Sequence, residues 1–125
     1  MAPARPHRIL VVDDHDTHRL VLALALRPPD FDVTGVRDGF EALAYLRDHV
    51  PDAILLDVHM PGMSGLEVGL AVRRLEGMAC VPILVMSSEL DETIRSRAAT
   101  FQAADVLAKP IPAPQLRRRL TELIG

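Results

Sequence analysis

Five short apolar runs alternate with amphipathic stretches from one end of this chain to the other, and that alternation restricts the fold more than any other feature. The runs are Arg8–Val12, Phe31–Val36, Ala53–Leu56, Pro82–Met86 and Val106–Ala108. The first, third and fourth are almost continuously apolar, as central strands of a parallel sheet are when both faces are covered. Phe31–Val36 carries polar residues and reads as an edge. Five strand–helix units in 125 residues, with no internal repeat, low-complexity segment or linker, predict one α/β layer structure with right-handed crossovers.

Helix signals fill the gaps. Asp16 is the expected N-cap of a helix over Thr17–Arg27, which Pro28-Pro29 stops. Asp38 should cap Gly39–His49, where Phe40, Leu43 and Leu46 share helical spacing. Ser64, with Glu67 three residues on, predicts a capping box for a helix through Glu76, and Gly77 its stop. Glu89–Phe101 and Ala113–Ile124 complete the set. The last places Leu116, Leu120, Leu123 and Ile124 on one face and Arg117 to Arg119 largely on the other, as a solvated strip or a docking strip for a partner.

Composition narrows the function classes. A net charge of −3 gives no general attraction for nucleic acid or anionic membrane, and 3% aromatics without tryptophan offers no stacking platform for single strands. The longest apolar stretch, Leu20 to Leu26, is far below the roughly 20 residues that span a bilayer, and Ile9 to Val12 is too short for a secretory core of about 7 or more. A single cysteine, Cys80, excludes an internal disulfide, so a reducing, cytoplasmic setting is expected. Thirteen of the fourteen basic residues are arginine, and Lys109 is the only lysine.

In open parallel sheets, ligands bind beyond the carboxyl ends of the strands. The residues there are Asp13-Asp14 after the first run, Asp57 after the third, Ser87-Ser88 after the fourth and Lys109-Pro110 after the fifth. Three carboxylates together repel unless a cation joins them. An all-oxygen site with room for water suits Mg²⁺, which often shares its remaining positions with phosphate oxygens. The hydroxyl and ammonium suit phosphoryl oxygens, and an aspartate can take a phosphoryl group as an acyl phosphate. Such transfer asks mainly for positioning and charge neutralisation.

Taken together, Val11-Val12-Asp13-Asp14, the run Leu55 to Gly65 with its Asp-x-x-Met-Pro-x-Met-x-Gly pattern, Met86-Ser87-Ser88 and Lys109-Pro110 resemble the receiver domain of a bacterial two-component response regulator, from about Arg8 to Ile124. The resemblance implies the flavodoxin-like fold, a doubly wound (βα)5 parallel sheet of order 2-1-3-4-5. It implies that Asp57 accepts a phosphoryl group from a phosphohistidine on a sensor histidine kinase or histidine phosphotransfer protein. Asp14 and Asp57 would ligate Mg²⁺, Asp13 would act through a bound water, and His59 would offer its backbone carbonyl. Ser87 and the Ser88 backbone N–H would bind the phosphoryl oxygens. Lys109 would pair with Asp57 and then with the phosphoryl group, and the Lys109-Pro110 bond is expected to be cis. The output would be a changed interaction with a target protein, commonly at the face made by the fourth helix, the fifth strand and the fifth helix, or onward relay of the phosphoryl group.

Two departures from the family pattern stand out. Val106 occupies the position three before the lysine where a switching aromatic is usual, and Phe101-Gln102-Ala103-Ala104 lacks the glycine common before that strand. His59 could influence attack by water on an acyl phosphate. His15-Asp16-Thr17-His18 has spacing suited to a transition metal, but no further ligand cluster accompanies it, so a solvated loop is expected. Each acidic residue alone would read as a strand-end turn residue, and Ser87 or Ser88 as a helix cap. A single stand-alone domain over 1–125, with its core at about 8–124 and no output domain, is expected, as a signalling protein rather than an enzyme. The alternatives are a receiver excised from a longer transcriptional or enzymatic regulator, and a small phosphohydrolase using Asp14 as its nucleophile.

Overall fold

The computed structural model describes residues 5–124, so residues 1–4 and Gly125 of the expected domain lie outside the described residues. The elements in chain order are β1 (His7–Val12), α1 (Asp16–Ala25), β2 (Phe31–Val36), α2 (Gly39–Leu46), β3 (Ala53–Asp57), α3 (Gly65–Arg74), β4 (Ile83–Ser87), α4 (Glu92–Ala99), β5 (Asp105–Ala108) and α5 (Ala113–Ile124). All strand pairs are parallel and the order is β2-β1-β3-β4-β5. The polar run Phe31–Val36 is therefore an edge, and β1, β3 and β4 lie inside the sheet.

Strand alternation divides the core into two layers. Leu10, Val12, Ile54, Leu56, Ile83 and Val85 pack toward α2, α3 and α4 with Val68, Val72, Ile94 and Phe101. Ile9, Val11, Leu55, Leu84 and Met86 pack toward α1 and α5 with Leu116 and Leu120. Every residue of β3 and β4 is buried, and each large aliphatic side chain so covered contributes about 1.5–3 kcal/mol. The strand ends, Asp57 and Ser87 included, are thereby held in fixed register.

Several helix boundaries differ from the sequence expectation. Asp16 does not cap α1: it opens the helix and ion-pairs with Arg19, while His15 holds the cap position without a side-chain bond. The helix stops at Ala25 rather than Arg27. Asp38 and Ser64 do cap α2 and α3, accepting from the Glu41 and Glu67 N–H groups. α2 ends at Leu46, and Phe40 is 68% exposed because Gly39, Ala42 and Leu46 form its buried stripe. α3 ends at Arg74, with Gly77 left-handed at φ +85 three residues later. α4 begins at Glu92, not Glu89, because Asp91 takes the Ile94 N–H and caps it.

Of the α5 arginines, Arg117 and Arg118 are exposed and Arg119 is partly buried. Arg117 donates to the Ala25 carbonyl and Arg119 pairs with Asp105 at 3.2 Å, so two of the three tie the helix to its neighbours.

Candidate functional site

The parallel topology brings the ends of β1, β3, β4 and β5 to one edge of the sheet, and the polar residues converge there. Asp13 and Asp57 are buried, and Asp14 is partly exposed. Lys109 Nζ lies 2.9 Å from Asp57 Oδ1 and 3.1 Å from Asp13 Oδ2. Its own backbone N–H donates to the Ser87 carbonyl at 2.8 Å, and the Lys109-Pro110 bond is cis. Asp13 is fully engaged, since its other oxygen accepts the His15 N–H at 3.0 Å.

Charge decides what the pocket lacks. Three carboxylates face a single ammonium, leaving two formal negative charges in a largely buried place. Burial pushes Asp57 above the usual aspartate value, and Lys109 draws it only partly back. Burial works against the charge of Lys109, but its bonds to Asp57 and Asp13 outweigh that and hold it above the ordinary lysine value. Asp14 Oδ1 is buried and has no hydrogen-bond partner. An orphaned carboxylate oxygen is costly unless something cationic meets it. Carboxylate donors with this charge deficit fit a divalent cation.

Ser87, the last residue of β4, is fully buried but its hydroxyl is occupied. It donates to the Glu89 carbonyl at 2.7 Å and accepts the Glu89 N–H at 3.1 Å. His59 Nε2 lies 3.2 Å from the same Oγ. A hydroxyl has one proton, which Glu89 takes, so the His59 ring must be the donor here and carry its proton on Nε2. Ser88 is exposed, and neither serine caps α4. Val106 is half-buried and packs against the layer that holds Phe101, Ile94 and Ala98, where it presents neither ring nor hydroxyl.

His15 and His18 are exposed, as a solvated segment should be, but they sit at the cap and first turn of α1 beside the carboxylates and not in a detached loop. His15 Nδ1 lies 3.1 Å from Asp14 Oδ1, and His18 Nδ1 lies 3.4 Å from Asp13 Oδ2. Their rings are 4.5 Å apart. The cause is the early start of α1, whose first turn carries both rings over the carboxylates. The three-residue spacing held this signal, combined with its place directly after a strand end.

The sequence matches the response regulator receiver domain family over residues 9–121. It is 33% identical over 124 residues to sensory/regulatory protein RpfC of Xanthomonas campestris pv. campestris, covering 98% of this chain and 17% of that protein. The chain thus spans about a sixth of that relative's length. The fold superimposes on chemotaxis protein CheY4 of Vibrio cholerae with a TM-score of 0.89 and 30% identity, covering 94% of this chain and 98% of that one. The receiver domain of sensor histidine kinase PA1611 from Pseudomonas aeruginosa PAO1, solved with a magnesium ion in its active-site cleft, gives 0.87 and 30% identity over 96% and 98% of the two chains. Among the described residues, no helix is long and apolar enough to cross a membrane. With its five parallel strands in this order and a family match that runs from β1 into α5, the chain belongs to the response regulator receiver domain family.

Proposed function

We propose that the protein is a phosphorylation-dependent signalling switch in which Asp57 accepts a phosphoryl group from the phosphohistidine of a sensor histidine kinase or histidine phosphotransfer protein. The observation that carries this reading is the bridge of Lys109 between Asp57 and Asp13 beside the orphaned Asp14 oxygen. In the transfer, an Asp57 carboxylate oxygen forms a bond to phosphorus as the phosphorus–nitrogen bond breaks. The donor imidazole keeps that electron pair and leaves. Asp57 needs no base, since it acts as a carboxylate, and its buried setting raises its basicity.

Asp14, Asp57 and the His59 carbonyl would hold Mg²⁺, with Asp13 acting through a bound water. The ion would supply charge neutralisation for the phosphoryl oxygens. Lys109 carries its single charge from the Asp57 carboxylate to the phosphoryl group, which a compact ammonium on a flexible stem can follow. Ser87 and the Ser88 N–H then take phosphoryl oxygens, and for that the Ser87 hydroxyl must leave Glu89 and His59. The response ends at a target protein that reads the α4-β5-α5 face, or in onward relay; chemistry beyond assisting its own phosphorylation and dephosphorylation is not required.

Incubation with Mg²⁺ and a small phosphodonor, followed by intact-mass measurement, is expected to show one added phosphoryl group that Asp57→Asn abolishes. Undiminished labelling of that variant would refute the assignment, and labelling at Asp14 would point to a phosphohydrolase.

A further inference from the structure

We propose that His15 is a nitrogen ligand of the divalent ion at this pocket, so that the site favours a first-row transition ion such as Mn²⁺ over Mg²⁺ more than its carboxylates alone would. This rests on the reading that the carboxylates hold a divalent cation. Donor atoms of Asp13, Asp14, His15 and Asp57 all lie within 4.8 Å of one another. A ring nitrogen therefore belongs to the same constellation as the three carboxylates.

The approach of His15 to Asp14 is the telling contact. Their facing atoms are 3.1 Å apart, yet Asp14 Oδ1 accepts no hydrogen bond. Two atoms each about 2.1 Å from one ion, at right angles, lie about 3.0 Å apart. The pair is thus spaced as neighbouring ligands. Asp13 fixes the geometry from behind, because its Oδ1 takes the His15 backbone N–H and its Oδ2 is held by Lys109.

His18 differs in one respect that excludes it. It does not gather with Asp14 and Asp57: its Nδ1 lies instead 3.4 Å from Asp13 Oδ2 and 3.4 Å from Lys109 Nζ. All-oxygen sets suit Mg²⁺ and Mn²⁺ alike, but a first-row transition ion accepts an imidazole nitrogen more readily than Mg²⁺ does. One nitrogen in place of a water shifts the preference without removing the oxygen ligands.

The test uses tag-free protein loaded with Mn²⁺ and examined by electron spin-echo modulation from ¹⁴N, with calorimetric titration of Mn²⁺ and Mg²⁺ alongside. The expected result is nitrogen modulation in the wild type, lost in His15→Ala and retained in His18→Ala. The ratio of Mn²⁺ to Mg²⁺ affinity should fall about tenfold in His15→Ala. Binding that Asp14→Asn weakens, but with no nitrogen modulation or with modulation surviving His15→Ala, would overturn the role of His15 and leave the carboxylate site standing. Binding of both ions that Asp14→Asn leaves unchanged would overturn the carboxylate site itself, and this proposal with it.

Discussion

The ends of β1, β3 and β5 and the end of β4 with α4 lie side by side, but their polar groups are committed to different partners. At the first, Asp13, Asp57 and Lys109 are bound to one another, the two carboxylates at the buried ends of β1 and β3 and the lysine just past β5. At the second, the Ser87 hydroxyl is committed to Glu89 and His59, and α4 buries only Ile94 and Ala98. The acceptor side is preformed. In the proposed switch the responding side must first break bonds it already has, so that phosphorylation and response would be governed by different residues.

Glycines one turn apart on α3 sharpen this contrast most strongly. A Cβ at Gly65 would sit 2.0 Å from the Asp57 carbonyl oxygen, a backbone atom that cannot yield. A Cβ at Gly69 would meet the buried Phe101 ring at 2.5 Å, a side chain on the responding side rather than a backbone atom. Gly65→Ala is expected to cost about 3 kcal/mol or more, and Gly69→Ala about 1–3 kcal/mol, by urea denaturation. Equal costs would show that the acceptor loop is as pliable as its neighbour.

The next effect separates the two sides functionally. His59→Ala removes the ring that holds Ser87 while leaving the His59 backbone carbonyl in place. One neutral hydrogen bond is worth about 0.5–1.5 kcal/mol net, so beryllium fluoride, which imitates an acyl phosphate, should bind the variant up to about tenfold more tightly with Mg²⁺ present. Unchanged or weaker binding would mean that Glu89 alone restrains the hydroxyl. Phosphorylation at Asp57 should persist in this variant, since Lys109 and the carboxylates are untouched.

What the sequence makes legible follows the same division. Continuous apolar runs announce β1, β3 and β4 because both sheet faces are covered, and their ends locate Asp13, Asp14, Asp57 and Ser87, while Lys109 is located by the end of the shorter, partly exposed β5. Asp38 and Ser64 are readable as caps because capping is local. The misread features depend on tertiary partners. Asp16 loses its capping role to an ion pair with Arg19, and Glu89 leaves the helix because Ser87 engages its backbone. His15 and His18 reach the pocket only because α1 starts at once after β1.

Arg73 is the clearest case of a residue hidden from sequence reasoning. It stands at the end of α3, where a basic residue reads as a favourable partner of the helix dipole. In the fold its guanidinium donates to the Phe101, Met78, Val81 and Gln102 carbonyls, binding α3 to the start of β4 and to the α4–β5 turn. No local pattern encodes a donor shared among four carbonyls, two of them nearly thirty residues away.

That arginine also accounts for the missing glycine before β5. Gln102 adopts φ 53, the left-handed conformation, where L-residues pay roughly 1–2 kcal/mol. Arg73 Nε and Nη2 meet the carbonyls of Phe101 and Gln102 at 2.8 and 3.2 Å and hold the turn in place. Gln102→Gly would relieve the steric cost but give the unfolded chain more freedom, which offsets it by about 0.4–1 kcal/mol. The smallest predicted effect is therefore a net gain of only a few tenths of a kcal/mol up to about 1 kcal/mol in urea denaturation, with metal binding at the acceptor side unaltered. A loss of stability would show that the Gln102 conformer carries no strain, and a change in metal affinity would show that the two sides are coupled through this turn even before phosphorylation.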